Sequence, residues 1–225
     1  MSQNTEKIKK YLIENLAKLK SEGGGGTYPT LPSFDLCAHD YISYAEDELE
    51  QHLSNNSNRN LINCVLHLKR AIECQLDTFL HAYALYDLFE KRNLGLNKKL
   101  DFMKEIGALS SRTLSRFNTL RNKLEHQYEV PKIADIELYF DLASSAVSII
   151  ESAILYALDS ELIFVTEEYD HPDHEVFHVV YDFKGPEIKI GWERSNGKEV
   201  LTASTTNIEE YAYFFKIFVL LGSIT

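Results

Sequence analysis

A chain of 225 residues with 44% hydrophobic and 25% charged side chains has room for one large domain, or one domain and a small appendage. Five prolines and ten glycines argue against long disordered tracts, and the polar opening MSQNTEKIKK, with no apolar core after it, predicts no signal peptide. The net charge of −11 speaks against a general nucleic-acid binder. That charge is uneven: ten Lys/Arg and four Asp/Glu fall between Lys91 and Lys132, a local excess of +6 that leaves −17 on the rest.

In chain order, Ile8, Leu12, Leu16 and Leu19 recur at helical spacing and predict a short amphipathic helix. GGGGTYPTLP follows. Neither Lys-Ser nor Lys-Thr comes after the glycines and no apolar strand precedes them, so Gly23–Gly26 read as a flexible tether rather than a phosphate loop. From Asp35 to about Leu53 a second helix places Tyr41, Ala45, Leu49 and Leu53 on one side, and the acids of YAEDELE form a solvated face on the other. The polar run SNNSNRN ends it.

Residues 60–90 carry Val65, Leu68, Ile72, Phe79, Tyr83 and Tyr86 at steps of three, four or seven and predict one long helix, stopped by RNLGLN. A shorter helix over about 97–106 is closed by Gly107, and another runs from Ser110 or Ser111 to Pro131, which cannot continue it. The last long helix starts near Asp135, with Leu138, Leu142, Ala146, Ile149, Ala153 and Ile154 turned inward. Its run ASSAVSIIESAILYAL is short for a bilayer and is broken by Glu151.

Near Glu161 the period changes from helical to alternating. Phe177, Val179, Tyr181 and Phe183 alternate with His178, Val180 and Asp182; Ile188, Ile190 and Trp192 share a side; KEVLTAST is a third candidate strand. Gly185-Pro186 and Asn196-Gly197 suit the turns, and Asn207 with Glu210 suits the cap of a final apolar helix. The expected fold is therefore mainly α: an antiparallel helical bundle over 35–158, a small α+β module over 159–225, and an N-terminal helix with its tether over 1–34.

Cys37, Cys64 and Cys74 form no Cys-x-x-Cys pair, and Cys64 and Cys74 stand about 15 Å apart on one helix, too far to bridge. Scattered thiols predict a reducing, cytoplasmic setting. In DHPDHEVFH, His171, Asp173, His174 and His178 offer metal-ligand chemistry, but His174 and His178 on a strand would stand about 13 Å apart. No metal site and no cofactor motif is predicted.

The stretch LRNKLEHQYEVP is different. At about 100° per residue, Phe117, Leu120, Leu124 and Tyr128 define an apolar stripe, Arg121 sits at its border, and Asn118, Asn122 and His126 form a row facing away. Such a row is either solvated or lines a cleft against a second subunit.

RNKLEHQY resembles the Arg-polar-x3-His motif of HEPN domains, helical bundles found in prokaryotic defence and toxin systems and in RNA processing. Arg121, Asn122 and His126 occupy its three positions, and Tyr128 matches the His-x-Tyr extension of HEPN toxins paired with nucleotidyltransferases. HLKRAIECQLDTFL is similar to the long helix of that bundle, and the resemblance covers about 35–158. The bare Arg–His spacing recurs by chance in a chain with eight histidines; Asn122, Tyr128 and the helical flanks make the match specific.

The resemblance implies a metal-independent endoribonuclease acting as a homodimer, a toxin or defence effector with RNA as substrate. His126 would be the acid/base, Arg121 would hold the phosphate oxygens, and Asn122 would orient either one. Arg112, Arg116 and Lys123 would guide RNA or are simply solvated. Tyr128 is either a packing residue or a target for adenylylation by an antitoxin nucleotidyltransferase. Two further readings stay open: a catalytically silent HEPN module that binds a nucleotide or protein partner, and an unrelated helical interaction protein.

Overall fold

The computed structural model describes residues 2–109, 119, 132–167, 171, 174–195 and 197–223. It is mainly helical with one five-stranded antiparallel sheet and divides into two compact units. The sheet unit comprises Met1–Thr30, Ala82–Asp87 and Ile154–Thr225; the helical unit comprises Leu31–His81 and Leu88–Ala153. This grouping differs from the expected 1–34, 35–158 and 159–225, because the N-terminal segment is built into the sheet unit.

In the sheet unit, α1 (Gln3–Asn15) begins where the Ser2 hydroxyl accepts a hydrogen bond from the Thr5 amide at 3.2 Å. Its buried side is Thr5, Ile8, Tyr11 and Asn15, one step round from the expected stripe; Leu16 is 51% exposed. The glycine tract is not a tether. Lys20–Gly26 form β1, antiparallel to β2 (Asp159–Val165), with Lys20 opposite Val165 and Gly24 opposite Leu162. Gly24 lies so close to its neighbour that a Cβ there would stand 1.9 Å from the Glu161 carbonyl oxygen, and Gly23 has φ +116°. Here glycine serves close approach and a bulge, not flexibility.

The sheet continues through β3 (Val176–Asp182), β4 (Glu187–Arg194) and β5 (Gly197–Ser204) in the order β1-β2-β3-β4-β5. Phe177, Val179 and Tyr181 are buried in alternation, as are Ile188, Ile190 and Trp192. Tyr11 of α1 stacks on Phe177 and Trp192 at centroid distances of 5.0 and 4.5 Å. The C-terminal α7 (Ile208–Gly222), capped by Asn207 accepting from the Glu210 amide, sends Tyr211 to the same face, its hydroxyl 2.7 Å from that of Tyr181. Both helices therefore cover one side of the sheet, and among the described residues no helix of this unit covers the other.

In the helical unit, α2 (Ala38–Asn55) and α3 (Asn58–Ala82) form an antiparallel hairpin. At its closed end Asn56 turns with φ 52°, and Glu48 accepts from Asn60 and Asn63 at 2.7 and 2.9 Å. At its open end Ala38 packs with Ala71 and with Val147 of α6 (Ile133–Leu155), beside Tyr41, Ile42 and Cys74. Lys99 of α5 (Leu96–Glu105) pairs with Asp77 of α3. Gly107 ends α5 with φ 80°, its amide donating to the Lys104 carbonyl at 3.0 Å.

Four expectations for the helices are corrected. The long helix does not reach residue 90: it stops at Ala82, Ala84 takes φ 53°, and a short α4 (Tyr86–Lys91) follows. The Tyr83 carbonyl, released from helical bonding, accepts the Tyr181 hydroxyl at 2.8 Å within the sheet unit, a tertiary contact that a local pattern cannot show. On α6 the buried set is Ile136, Tyr139, Ala143, Ala146, Val147, Ile150 and Ala153, whereas Leu138 and Ile149 are 43% and 44% exposed. Asp135 lies in the first turn of this helix rather than at its cap.

The fourth concerns length. Ile133–Leu158 spans 26 residues and holds an 18-residue window of mean hydropathy 1.4, long and apolar enough to cross a membrane by length and composition alone. Glu137, Asp141 and Glu151 on it, and a buried side recurring at three and four residues, are the pattern of a helix packed in a protein core.

Candidate functional site

The motif residues Arg121, Asn122, His126 and Tyr128, and the RNA-guiding candidates Arg112, Arg116 and Lys123, lie outside the described residues. So does the expected helix over 110–131, apart from Thr119, which is helical and exposed. The structure describes what flanks them. The chain enters from α5, whose end is fixed by Gly107 and by the Leu109 amide donating to the Met103 carbonyl at 3.2 Å. It leaves into α6, where the Lys132 carbonyl accepts the amides of Asp135 and Ile136 at 3.0 and 3.1 Å.

Six of the basic residues between 91 and 132 are described. Lys99 is tied to Asp77, whereas Lys98 lies 3.6 Å from Asp101 in an exposed pair that leaves its charge open to a ligand. Lys91, Arg92, Lys104 and Lys132 are exposed. The local excess of positive charge in the sequence is thus partly neutralised at the α3–α5 contact.

The open face of the sheet carries a groove of about 660 Å³ lined by Lys20, Glu22, Ile163, Val165, Glu167, His174 and Val176. His174 precedes β3; its amide donates to the His171 carbonyl at 2.9 Å, and its Nδ1 lies 2.8 Å from the Glu167 carbonyl. His178 projects from the centre of β3 over Gly191, where a Cβ would stand 2.6 Å from its Nε2. Burial lowers the His178 pKa and the Lys198 ammonium lowers it further, against Glu161 and Glu193. Among the described residues no three His, Cys, Asp or Glu side chains are grouped to hold a metal. The groove has a β-branched floor and a charged rim, and its lining holds no nucleophile paired with a base.

A second polar cluster was not foreseen. Glu175 is only 5% exposed, and its Oε2 accepts from Arg194 Nε at 2.6 Å. The Tyr11 hydroxyl and Glu175 Oε1 are both sealed from solvent, and neither completes a hydrogen bond of good geometry. Burial holds the Tyr11 phenol far above its ordinary range, and the adjacent Glu175 carboxylate raises it further. The signal was present in the sequence: Glu175 has the parity of Phe177, Val179 and Tyr181, so an acid stands in the core-facing register of β3.

No family model, no curated protein and no solved structure matches this chain.

Proposed function

We propose that the helical unit is a HEPN-type, metal-independent endoribonuclease of a toxin or defence system, acting in the cytoplasm as a homodimer. The observation that carries this reading is Arg121-Asn122-x3-His126-x-Tyr128 in the segment joining α5 to α6 of a unit whose described residues hold no strand. The residue types suit attack by a ribose 2′-OH on the adjacent phosphate. An imidazole takes or gives a proton near neutral pH, and a permanently charged guanidinium balances the charge growing on the phosphoryl oxygens. The row of polar side chains that the sequence spacing predicts to face away from the apolar stripe fits a cleft completed by a second copy. Tyr128 would be the point of control by a nucleotidyltransferase partner.

Incubation of the purified chain with single-stranded RNA in EDTA tests the proposal. Cleavage should leave a 2′,3′-cyclic phosphate and a 5′-OH, and DNA of the same sequence should survive, lacking the nucleophile. His126→Ala should slow cleavage by about 10²–10⁴ and Arg121→Ala by about 10²–10³. Absence of cleavage by a folded wild type, or cleavage unchanged in both variants, overturns the reading.

A further inference from the structure

Three thiols scattered along a sequence give no reason to pair any two of them. The fold of the helical unit does. Cys37 is the residue before α2 and is exposed, whereas Cys74 is half-buried in the middle of α3. The antiparallel hairpin brings them to the same end: Cys74 Sγ lies 3.6 Å from the carbonyl oxygen of Leu36, whose peptide bond leads into Cys37. The Cα of Cys37 is therefore within roughly 6.5 Å of that sulfur. Cys74 packs beside Ala38, the next residue along. Burial pushes the Cys74 thiol up, and the Cys37 sulfur is the first of the neighbours that add to it.

We propose that Cys37 and Cys74 form a reversible intramolecular disulfide on exposure to a hydroperoxide, closing the open end of the α2–α3 hairpin. The exposed Cys37 sulfur attacks the peroxide oxygen; the O–O bond breaks, giving a sulfenic acid and water. The Cys74 sulfur then displaces hydroxide from that sulfenic sulfur, the S–S bond forms, and a second water leaves with the Cys74 proton. Two thiols and one hydrogen peroxide give one disulfide and two waters, and a dithiol reductant reverses it. Cys37 is exposed and engaged only with the first turn of α2: its amide donates to the Asp40 carboxylate (2.7 Å), its sulfur faces the Asp40 amide in a capping box, and its carbonyl accepts the Tyr41 amide at 3.4 Å. The disulfide requires the sulfur to leave that box and the segment before α2 to make a small backbone movement.

Cys64 is a control built into the same helix. It is buried, its thiol is pushed up to about 12 by burial, and it is too far along α3 to reach Cys74. The inference stands whether or not the ribonuclease reading holds.

Full-length protein should be treated with one equivalent of hydrogen peroxide, blocked with iodoacetamide and digested without reductant for mass spectrometry. The expected product is a Cys37–Cys74-linked peptide from a chain lighter by two hydrogens, unaffected by Cys64→Ser. Cys74→Ser should instead leave a Cys37 sulfenic acid that dimedone traps, and Cys37→Ser should leave no linked peptide. The linkage should form at least about tenfold faster in the folded chain than in urea, because folding supplies the proximity. The proposal is overturned if no Cys37–Cys74 peptide appears in protein with a native circular dichroism spectrum, if the link forms only between chains, or if it forms equally fast in urea.

Discussion

A methyl group on Gly24 separates two accounts of the glycine tract. If residues 23–26 were a flexible tether, alanine at each of the four positions would change stability by no more than about 0.5 kcal/mol. As part of β1, the four positions differ. At Gly24 the new Cβ would stand 1.9 Å from the Glu161 carbonyl oxygen, a backbone atom that cannot swing aside, so the strands must part by more than about 1 Å. Two ladder hydrogen bonds at about 1 kcal/mol each, with the distortion of their neighbours, place the loss at about 2–4 kcal/mol. Gly23→Ala should cost about 1–2 kcal/mol, because φ +116° is strained for an L side chain. Gly25→Ala and Gly26→Ala meet nothing closer than 3.5 and 3.7 Å and should be neutral or slightly stabilising, through lower entropy of the unfolded chain. Trp192 is the chain's only tryptophan and belongs to the sheet unit, so its fluorescence in urea reports the unit that contains β1. The midpoint should fall for Gly24→Ala at constant m-value. Equal midpoints for Gly24→Ala and Gly25→Ala would refute the strand and restore the tether.

The same fluorescence signal tests the Glu175 cluster and the sheet histidine. Arg194→Met should destabilise by about 1–2 kcal/mol, less than for a fully buried pair because Arg194 is 46% exposed on its side chain. Adding Glu175→Gln should recover part of that loss, and a double variant no better than Arg194→Met would refute the buried-charge explanation. Tyr11→Phe removes a hydroxyl with no partner of good geometry and should stay within about 0.5 kcal/mol of wild type. For His178 the folded pKa lies below the ordinary value of 6.5, so between the two the unfolded chain holds more protons. Its contribution is present above pH 6.5 and is lost as pH falls through the folded pKa. His178→Gln should flatten this part of the stability profile between pH 5 and 8; an unchanged slope would show that the imidazole is as solvated in the fold as in the unfolded chain.

What the sequence disclosed follows from where the physics is local. Alternation along β3 and β4 was legible because one face of that sheet is covered by α1 and α7 and the other is not, so side-chain parity and polarity coincide. In β2 they do not coincide: Leu162, Ile163, Phe164 and Val165 are apolar on both faces, so no alternation marks the strand. β1 failed for the opposite reason. Its glycines have no side chains to show a period, and their purpose is set by the Glu161 backbone, some 135 residues away. The α3 break depends likewise on a tyrosine hydroxyl from β3.

The same distinction explains the two kinds of site. An Arg–Asn–His motif is legible because its members fall within six consecutive positions of the sequence, a spacing that can be read without the fold. Cys37 and Cys74 are invisible to such a reading, since their separation along the chain says nothing until a turn at Asn56 folds α2 back on α3. Once that hairpin exists its geometry brings the two cysteines near each other: a contact between Glu48 and Asn60 at the closed end and one between Ala38 and Ala71 at the open end leave Cys74 one turn beyond Ala71, beside the start of α2. Shifting α3 by a single residue against α2 would rotate Cys74 by about 100° and carry it away from Leu36. The disulfide test is thus also a test of the hairpin's packing, and it is one that the spacing of cysteines in the sequence could not have suggested.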